Sequence, residues 1–124
     1  LKFMGYMPYQ DLEVWQKSMI LVEEIYKLTK NFPSEERYGL VSQIRRSAVS
    51  IPSNIAEGKS RGTRKDYCRF IYIASGSLAE LETQIQISIR LGYLDSANEQ
   101  VIAPQISTLK MMFNSLIAKL RLPS

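Results

Sequence analysis

The stretch LVSQIRRSAVSIPSNIAEG, residues 40–58, carries the pattern that decides the fold. Its apolar stripe recurs every three or four positions, at Leu40, Ile44, Ala48, Ile51 and Ile55. This spacing matches the period of an α-helix with one buried face. Pro52 removes a backbone hydrogen bond from such a helix, but the stripe stays in phase on both sides of it. We therefore predict one helix that is kinked at Pro52 and does not end there.

The opposite side of this helix presents small hydrogen-bonding residues around one base and one acid. On a helical wheel the central members lie within about 60° of one another. They are Arg46, Ser50, Ser53 and Glu57, flanked by Ser47 and Asn54. A solvated face more commonly carries Lys, Glu and Gln. Two interpretations stay open, a solvated face and a face partly buried against another helix or subunit, where unpaired charges would cost several kcal/mol.

Three further blocks with the same period predict three further helices. The stripe of the first block is Leu12, Trp15, Met19, Val22, Ile25 and Leu28. The stripe of the third is Ile71, Ala74, Leu78, Leu81, Ile85 and Ile89, and that of the fourth is Ile102, Ile106, Leu109, Phe113, Leu116 and Leu120. No alternating run between hairpin turns predicts a strand.

Capping residues, prolines and glycines predict where these helices begin and end. The predicted N-caps are Asp11, Ser34, Thr63 and Ser96, the last two in capping boxes with Asp66 and Glu99. The predicted stop signals are Pro33, Gly58, Gly62 and Gly92. Pro104 is expected to distort the first turns of the fourth helix.

Four amphipathic helices joined by connections of about three to five residues must run antiparallel to their sequential neighbours, because so short a loop cannot return the chain to its starting end. The predicted fold is all-α, an antiparallel up-down-up-down four-helix bundle. With 124 residues, of which 45% are hydrophobic, the chain is expected to form one domain with its own core. We assign residues 9–124 to the bundle and residues 1–8 to an N-terminal extension.

Composition argues against several classes of function. The chain has no histidine and one cysteine, Cys68, so metal sites built on those residues are not expected. Acid–base catalysis would depend on a shifted carboxylate, lysine or tyrosine. Motifs for nucleotide hydrolysis, dinucleotide binding and ester cleavage are missing, as is an apolar run of about 20 residues that could cross a bilayer. We expect a cytoplasmic protein that is not an enzyme and holds neither cofactor nor metal.

Positive charge is concentrated in the middle of the chain. Residues 37–69 hold eight basic and two acidic residues, a formal +6, while the remaining 91 residues carry −2. The densest part straddles the predicted turn between the second and third helices, at Lys59, Arg61, Arg64, Lys65 and Arg69. Cations on a glycine-containing turn beside a helix N-terminus favour contact with phosphates. The alternative is a solvated basic loop.

The third helix offers a complementary polar surface in its sequence ASGS, residues 74–77. Gly76 costs about 1 kcal/mol in a helix interior relative to Ala, so its presence predicts a tight crossing. We predict a structural polar network or interface made of Ser50, Asn54, Glu57, Ser75, Glu80 and Glu82. A catalytic carboxylate pair of Glu57 and Glu82 is the alternative. We favour ion pairs with Arg45, Arg46 or Arg69.

Four motifs carry a resemblance to a known family, and together they cover about residues 9–94. They are DLEVWQ at 11–16, Phe32-Pro33 with Glu35-Glu36, the stretch 40–58, and GSLAELETQ at 76–84. The most specific parts are IPSNIAEG and GSLAELET. These motifs resemble the four-helix-bundle proteins encoded within intervening sequences of 23S ribosomal RNA genes, also labelled S23. That family is in turn similar to accessory variability proteins of diversity-generating retroelements.

The resemblance implies a non-enzymatic homopentamer of four-helix bundles that binds RNA, including ribosomal RNA, or RNA–DNA. By position it implies nucleic-acid contacts at Arg45, Arg46, Lys59, Arg61, Arg64 and Lys65, and the charge pattern adds Arg69. The leading hypothesis is an oligomeric nucleic-acid-binding protein. Its alternative is a protein-interaction scaffold, such as a reverse-transcriptase accessory subunit, for which nucleic acid is incidental.

Overall fold

A computed structural model describes residues 7–123 and shows four α-helices. They are α1 (Glu13–Thr29), α2 (Leu40–Ser60), α3 (Arg64–Arg90) and α4 (Ser96–Leu120). Short 3-10 helices, Tyr9–Asp11 and Ser34–Glu36, precede α1 and α2. No strand occurs in the part of the chain that the structure describes. Of the predicted N-terminal extension, residues 1–6 lie outside the described residues.

The four helices pack in a closed ring. α2 lies between α1 and α3, and α4 packs on α3 and completes the ring against α1. Sequential helices run antiparallel. Moving forward along α2 from Ser47 to Ser50, the bonded residue on α3 moves back from Glu80 to Ser77, and Arg64 at the start of α3 bonds to Lys119 at the end of α4. The predicted all-α four-helix bundle is confirmed. Within residues 7–123 none of the helices combines the length and the apolar character needed to span a bilayer.

The core follows the predicted stripes in three helices. α2 buries Ile44, Ala48, Ile51 and Ile55; α3 buries Ile71, Ala74, Leu78, Leu81 and Ile85; α4 buries Ile102, Ile106, Leu109 and Phe113. The last apolar residue of the α3 stripe and the last two of the α4 stripe are partly buried at the edge of this core.

The stripe predicted for α1 is wrong in part. Met19 is exposed, and the buried face contains Val14, Leu21 and Ile25 together with Ser18 and Thr29. Both hydroxyls are satisfied within the helix, since Ser18 donates to the Trp15 carbonyl and Thr29 to the Ile25 carbonyl, each at 2.8 Å. Burial therefore leaves neither hydroxyl without a hydrogen-bond partner. The buried face of α1 is rotated relative to the most apolar stripe of its sequence.

Two predicted helix starts are wrong. α2 begins at Leu40 because Ser34 opens a separate 3-10 turn, and the Glu36 carboxylate accepts a hydrogen bond from the Leu40 N–H at 3.3 Å. Leu12 stands at the N-cap position of α1, and Asp11 lies in the preceding 3-10 helix. In both places the residue predicted as the N-cap lies in a short 3-10 helix that precedes the α-helix.

The other two starts show one confirmed cap and one shifted by a residue. Thr63 caps α3 by accepting a hydrogen bond from the Asp66 N–H at 3.1 Å, as predicted. At α4 the capping box is formed by Asp95 and Asn98, one residue earlier than predicted. Gly92, with φ +80°, ends α3 as predicted.

Two glycines have roles opposite to those predicted. Gly58 does not end α2; it is buried within the helix, where an added Cβ would lie 2.5 Å from the Phe70 Cβ. Gly76, predicted at a tight crossing, is exposed with no heavy atom within 4 Å of an added Cβ. The close α2–α3 approach is therefore at Gly58. α2 continues through Pro52, and the turn follows at Gly62, with φ +86°.

Candidate nucleic-acid interface

One end of the bundle gathers the cations of the α2–α3 turn and those of the α4 C-terminus. α2 ends there, α3 begins, α4 ends, and the first 3-10 helix leads into α1. We call this surface the basic end, defined by Lys59, Arg61, Arg64, Lys65, Arg69, Lys119 and Arg121. Apart from half-buried Lys59, these residues are exposed. Fold topology thus adds two cations to the five that the sequence places at the turn.

Two arginines of the basic end are held by carboxylates and by one aromatic ring. Arg61 donates to Glu57 at 2.8 Å, and Arg69 lies 3.9 Å from the Asp66 carboxylate. Both guanidinium groups lie over Phe70, at 5.0 and 4.5 Å from the ring centroid. The hydrogen bond to Glu57 raises the pKa of Arg61 against a smaller effect of desolvation. Both side chains stay about half exposed, so their outer faces remain open to a ligand.

Arg64 and Arg121 join the turn to the end of α4. Arg64 donates to the carbonyls of Lys119 and Leu122 at 2.8 and 3.0 Å, satisfying acceptors that a helix C-terminus leaves free. Arg121 in turn donates to the Tyr72 hydroxyl at 3.3 Å. Lys119 and Arg121 lie about 50 residues from their partners in the sequence and were not among the predicted contacts. The sequence did carry a signal for these two cations. An up-down bundle places the last turn of its fourth helix beside the α2–α3 connection, so basic residues in that turn are expected to lie near the cations of the connection.

The two lysines of the turn are less constrained than its three arginines. Lys65 is exposed and makes no ion pair or side-chain hydrogen bond within residues 7–123. The Lys59 ammonium lies 5.4 Å from the centroid of the Tyr67 ring. Both can reach a ligand without giving up an internal bond.

The remaining predicted cations, Arg45 and Arg46, lie elsewhere. They are about 20 Å from the turn, at 1.5 Å per residue along α2. Arg45 donates to the Thr29 hydroxyl at 2.9 Å and stacks on Tyr26 at 4.4 Å, which joins α2 to α1. Arg46 is exposed and makes no ion pair or side-chain hydrogen bond in the described part of the chain. The structure therefore separates the predicted contacts into two surfaces.

We call the second surface the Tyr38 patch. It consists of Tyr26, Arg37, Tyr38, Arg45 and Arg46 around an open groove of about 470 Å³. Tyr38 is 89% exposed, more than any other large apolar or aromatic residue in the described chain. It is a shallow surface on one side of the bundle, unlike the convergence of four chain segments at the basic end.

The predicted polar network lies along the α2–α3 seam and is not one continuous site. Ser50 and Ser77 are 2.7 Å apart, and Asn54 donates to the Ser50 carbonyl and hydroxyl at 2.8 and 3.0 Å. Ser47 donates to Glu80 at 3.1 Å. Ser75 is half-buried and makes no side-chain hydrogen bond within the described residues.

Glu57 and Glu82 do not form a carboxylate pair. Glu57 bonds Arg61, and Glu82 bonds Lys110 at 2.6 Å, so the predicted partners Arg45, Arg46 and Arg69 are wrong for both. The structure places the two acids in different ion pairs on the surface. Among residues 7–123 no three of Cys, His, Asp and Glu come together as a possible metal site.

Comparison with known proteins identifies a family and a matching fold. A sequence model of the family described as "23S rRNA-intervening sequence protein" matches residues 10–115. A crystal structure from Bacteroides thetaiotaomicron, described as a protein of unknown function from the S23 ribosomal protein family, superposes with a TM-score of 0.75 at 26% identity. The match covers 84% of this chain and 97% of that one. A search of curated proteins found no match.

Proposed function

Because the chain belongs to the 23S rRNA-intervening sequence protein family, we propose that it is a non-enzymatic, oligomeric protein that binds RNA, either ribosomal RNA or an RNA–DNA hybrid, in the cytoplasm. The observation that carries this proposal is the gathering of cations from α2, α3 and the C-terminus of α4 at the basic end. Glu57 and Asp66 each pair with one of its arginines. The excess of positive charge there persists after this pairing.

The arrangement fits contact with a phosphate backbone rather than with base edges. Arg61 and Arg69 are held on Phe70 with their outer faces exposed, while Lys59 and Lys65 belong to the same turn and make no ion pair within residues 7–123. Charge on a fixed scaffold attracts phosphates regardless of sequence, and most of the free energy comes from released counterions. Binding is therefore expected to be strong at low salt and weakly dependent on sequence.

The salt dependence of RNA affinity tests the proposal. With about five phosphates neutralised, log K should fall against log salt with a slope near −4 for a duplex and a shallower slope for a single strand. Fluorescence anisotropy of a labelled RNA over a range of salt concentrations measures both. A flat dependence would overturn the proposal.

A double variant localises the contact. Lys65→Gln with Arg69→Gln removes two cations of the basic end and spares Arg64, whose loss would also free the carbonyls of α4. We expect binding about 10- to 100-fold weaker at low salt and a slope shallower by about two. The matched control is Lys17→Gln with Lys110→Gln, which removes the same charge from ion pairs on α1 and α4. Equal losses in the two double variants would contradict a site at the basic end.

The oligomeric part of the proposal rests on exposed apolar side chains of α2 and α3. Val49 on α2 and Ile73 on α3 are 40% and 42% exposed. A closed ring of identical copies would cover such side chains. We propose a homopentamer, which light scattering tests directly. A monomeric mass would overturn this part and leave RNA binding in place.

The same exposed apolar side chains support a second candidate, a protein-interaction scaffold. An acidic partner, such as the reverse transcriptase of a retroelement, would contact Val49 and Ile73 and the nearby cations. Capture of partners from nuclease-treated extract distinguishes the two functions. A protein partner survives that treatment and is lost in Val49→Asp, whereas binding bridged by RNA disappears with the nuclease.

A further inference from the structure

A cavity of about 720 Å³ opens at the basic end, between the first 3-10 helix and the start of α3. Lys59, Gly62, Thr63, Arg64 and Tyr67 line one side of it, and residues 7–10 line the other. The lining includes two cations and no carboxylate. This concave, cationic wall distinguishes the cavity from the open surface of Lys65 and Arg69 beside it.

The start of α3 directs hydrogen-bond donors at this region. The N–H groups of Arg64 and Lys65 precede the first intrahelical bond and have no backbone partner in the helix. The Thr63 hydroxyl accepts from the Asp66 N–H and keeps its own hydrogen available. A helix of 27 residues adds a partial positive charge at its N-terminus. These groups together match the donors that proteins use to hold phosphate.

Tyr67 is the second and independent observation. Its side chain lines the cavity while the residue is only 9% exposed, and its hydroxyl has no hydrogen-bond partner within residues 7–123. The fully buried side-chain oxygens without a partner in the described chain belong to Gln84 and Gln105, so the Tyr67 hydroxyl is open to solvent and can bond a ligand in the cavity. Burial of the ring raises the pKa of Tyr67 from its ordinary 10.0, so the hydroxyl is protonated at neutral pH and can donate. The Lys59 ammonium lies over the same ring, where it can offset the negative charge of a bound anion.

We propose that this cavity binds the terminal phosphomonoester of an RNA strand. A monoester carries about −1.5 to −2 charges near neutral pH, against −1 for an internal diester, and its three free oxygens can accept several donors at once. Lys59, Arg64, the Thr63 and Tyr67 hydroxyls and the N–H groups of α3 supply such donors. The inference rests on the proposed RNA binding and makes it specific for a strand end.

One RNA sequence prepared in three forms tests the inference. The strand carries a 5′-phosphate, a 3′-phosphate or no terminal phosphate, and anisotropy measures its binding to the full chain at one salt concentration. We expect one of the phosphorylated forms to bind about tenfold more tightly than the unphosphorylated strand, because hydrogen bonds to a charged group are the strong ones. The form that gains affinity identifies which end the cavity holds.

Two variants connect this preference to the cavity. Tyr67→Phe removes only the unpartnered hydroxyl, and Lys59→Gln removes the cation over the ring; each should reduce the tenfold preference to about threefold or less. Lys65→Gln is the matched control, and it should weaken all three strands equally, which keeps the preference. Thermal melting of each variant verifies the fold. A preference that survives both cavity variants would overturn the assignment.

A smaller ligand separates this inference from the proposed function. Adenosine 5′-monophosphate, adenosine 3′-monophosphate and adenosine are compared for their effect on the melting temperature of the chain. Stabilisation by a monophosphate but not by adenosine supports the cavity even if long RNA does not bind. Equal binding of all three RNA forms, with no stabilisation by either monophosphate, overturns the terminal-phosphate site while leaving the proposed backbone binding intact.

Discussion

At the end of α2, Arg61 is bonded to Glu57 and held on Phe70, whereas near the start of the same helix Arg46 is exposed and makes no such contact in the described chain. The basic end also receives cations from α4, while the Tyr38 patch receives them from the α2 region alone. A cation that makes no contacts therefore need not lie where the positive electrostatic potential is highest. A polyanion responds to the summed field, so we expect the paired cations of the basic end to matter more than the free ones.

The largest expected effect compares these two surfaces directly. Arg37→Gln with Arg46→Gln removes two exposed cations from the Tyr38 patch, and RNA affinity at low salt should fall by no more than about threefold. The same charge removed as Lys65→Gln with Arg69→Gln should cost about 10- to 100-fold. Anisotropy at matched salt measures both. Losses of similar size would show that RNA contacts the whole length of α2, and the comparison would fail.

The next effect concerns the α2–α3 crossing that holds the basic end in place. Gly58→Ala puts a Cβ 2.5 Å from the Phe70 Cβ, so the helices must shift, at a cost of about 1–3 kcal/mol in the free energy of unfolding. Gly76→Ala is the matched control. Its Cβ meets open space, and helix propensity should stabilise the chain by about 1 kcal/mol.

Denaturant unfolding of both glycine variants measures the difference, and RNA affinity connects it to function. Because Phe70 supports Arg61 and Arg69, Gly58→Ala should also weaken binding, whereas Gly76→Ala should leave binding unchanged. A neutral Gly58→Ala would mean that the crossing relaxes without affecting the basic end.

A third prediction separates two neighbouring arginines of the Tyr38 patch. Arg45→Gln loses the bond to Thr29 and the stacking on Tyr26, and should lower the free energy of unfolding by about 1 kcal/mol. Arg46 makes no ion pair or side-chain hydrogen bond in the described chain, so Arg46→Gln should stay within about 0.5 kcal/mol of the parent protein. Urea unfolding of the two variants measures this difference in the free energy of unfolding. Equal effects would mean that Arg45 does not join α1 to α2.

The hydrophobic period predicted the bundle because it records which side of each helix is removed from water. It failed in α1, where Ser18 and Thr29 are buried with their hydroxyls bonded to their own helix while Met19 is exposed. The apolar stripe of α2 did not predict that Gly58 packs against α3, because how closely two helices approach depends on the residues of both. The position of Phe70 on α3 shows why there is no room for a Cβ at Gly58.

The candidate site was predictable where it is local in sequence and not where it depends on topology. Five cations at one turn stand within eleven residues of each other, so charge counting finds them. The α4 cations enter through hydrogen bonds that span about 50 residues, which charge counting along the sequence does not reveal. The separation of Arg45 from the turn already followed from the single helix predicted over residues 40–58, at about 1.5 Å per residue. Pairing of Glu57 with Arg61 was within reach, because acid and base four residues apart on a helix face each other.

The smallest predicted effect uses one tyrosine at each end of the bundle. Burial raises the pKa of Tyr67 at the basic end, and the hydrogen bond to Glu36 at 2.9 Å raises the pKa of Tyr93 at the opposite end. In the unfolded chain both ionise near pH 10.0, so above that pH the unfolded state holds fewer protons than the folded state. The free energy of unfolding therefore falls as the pH rises above 10. Tyr67→Phe and Tyr93→Phe should each flatten this fall in urea titrations. If only Tyr93→Phe has an effect, burial of the Tyr67 ring does not raise the pKa of its hydroxyl.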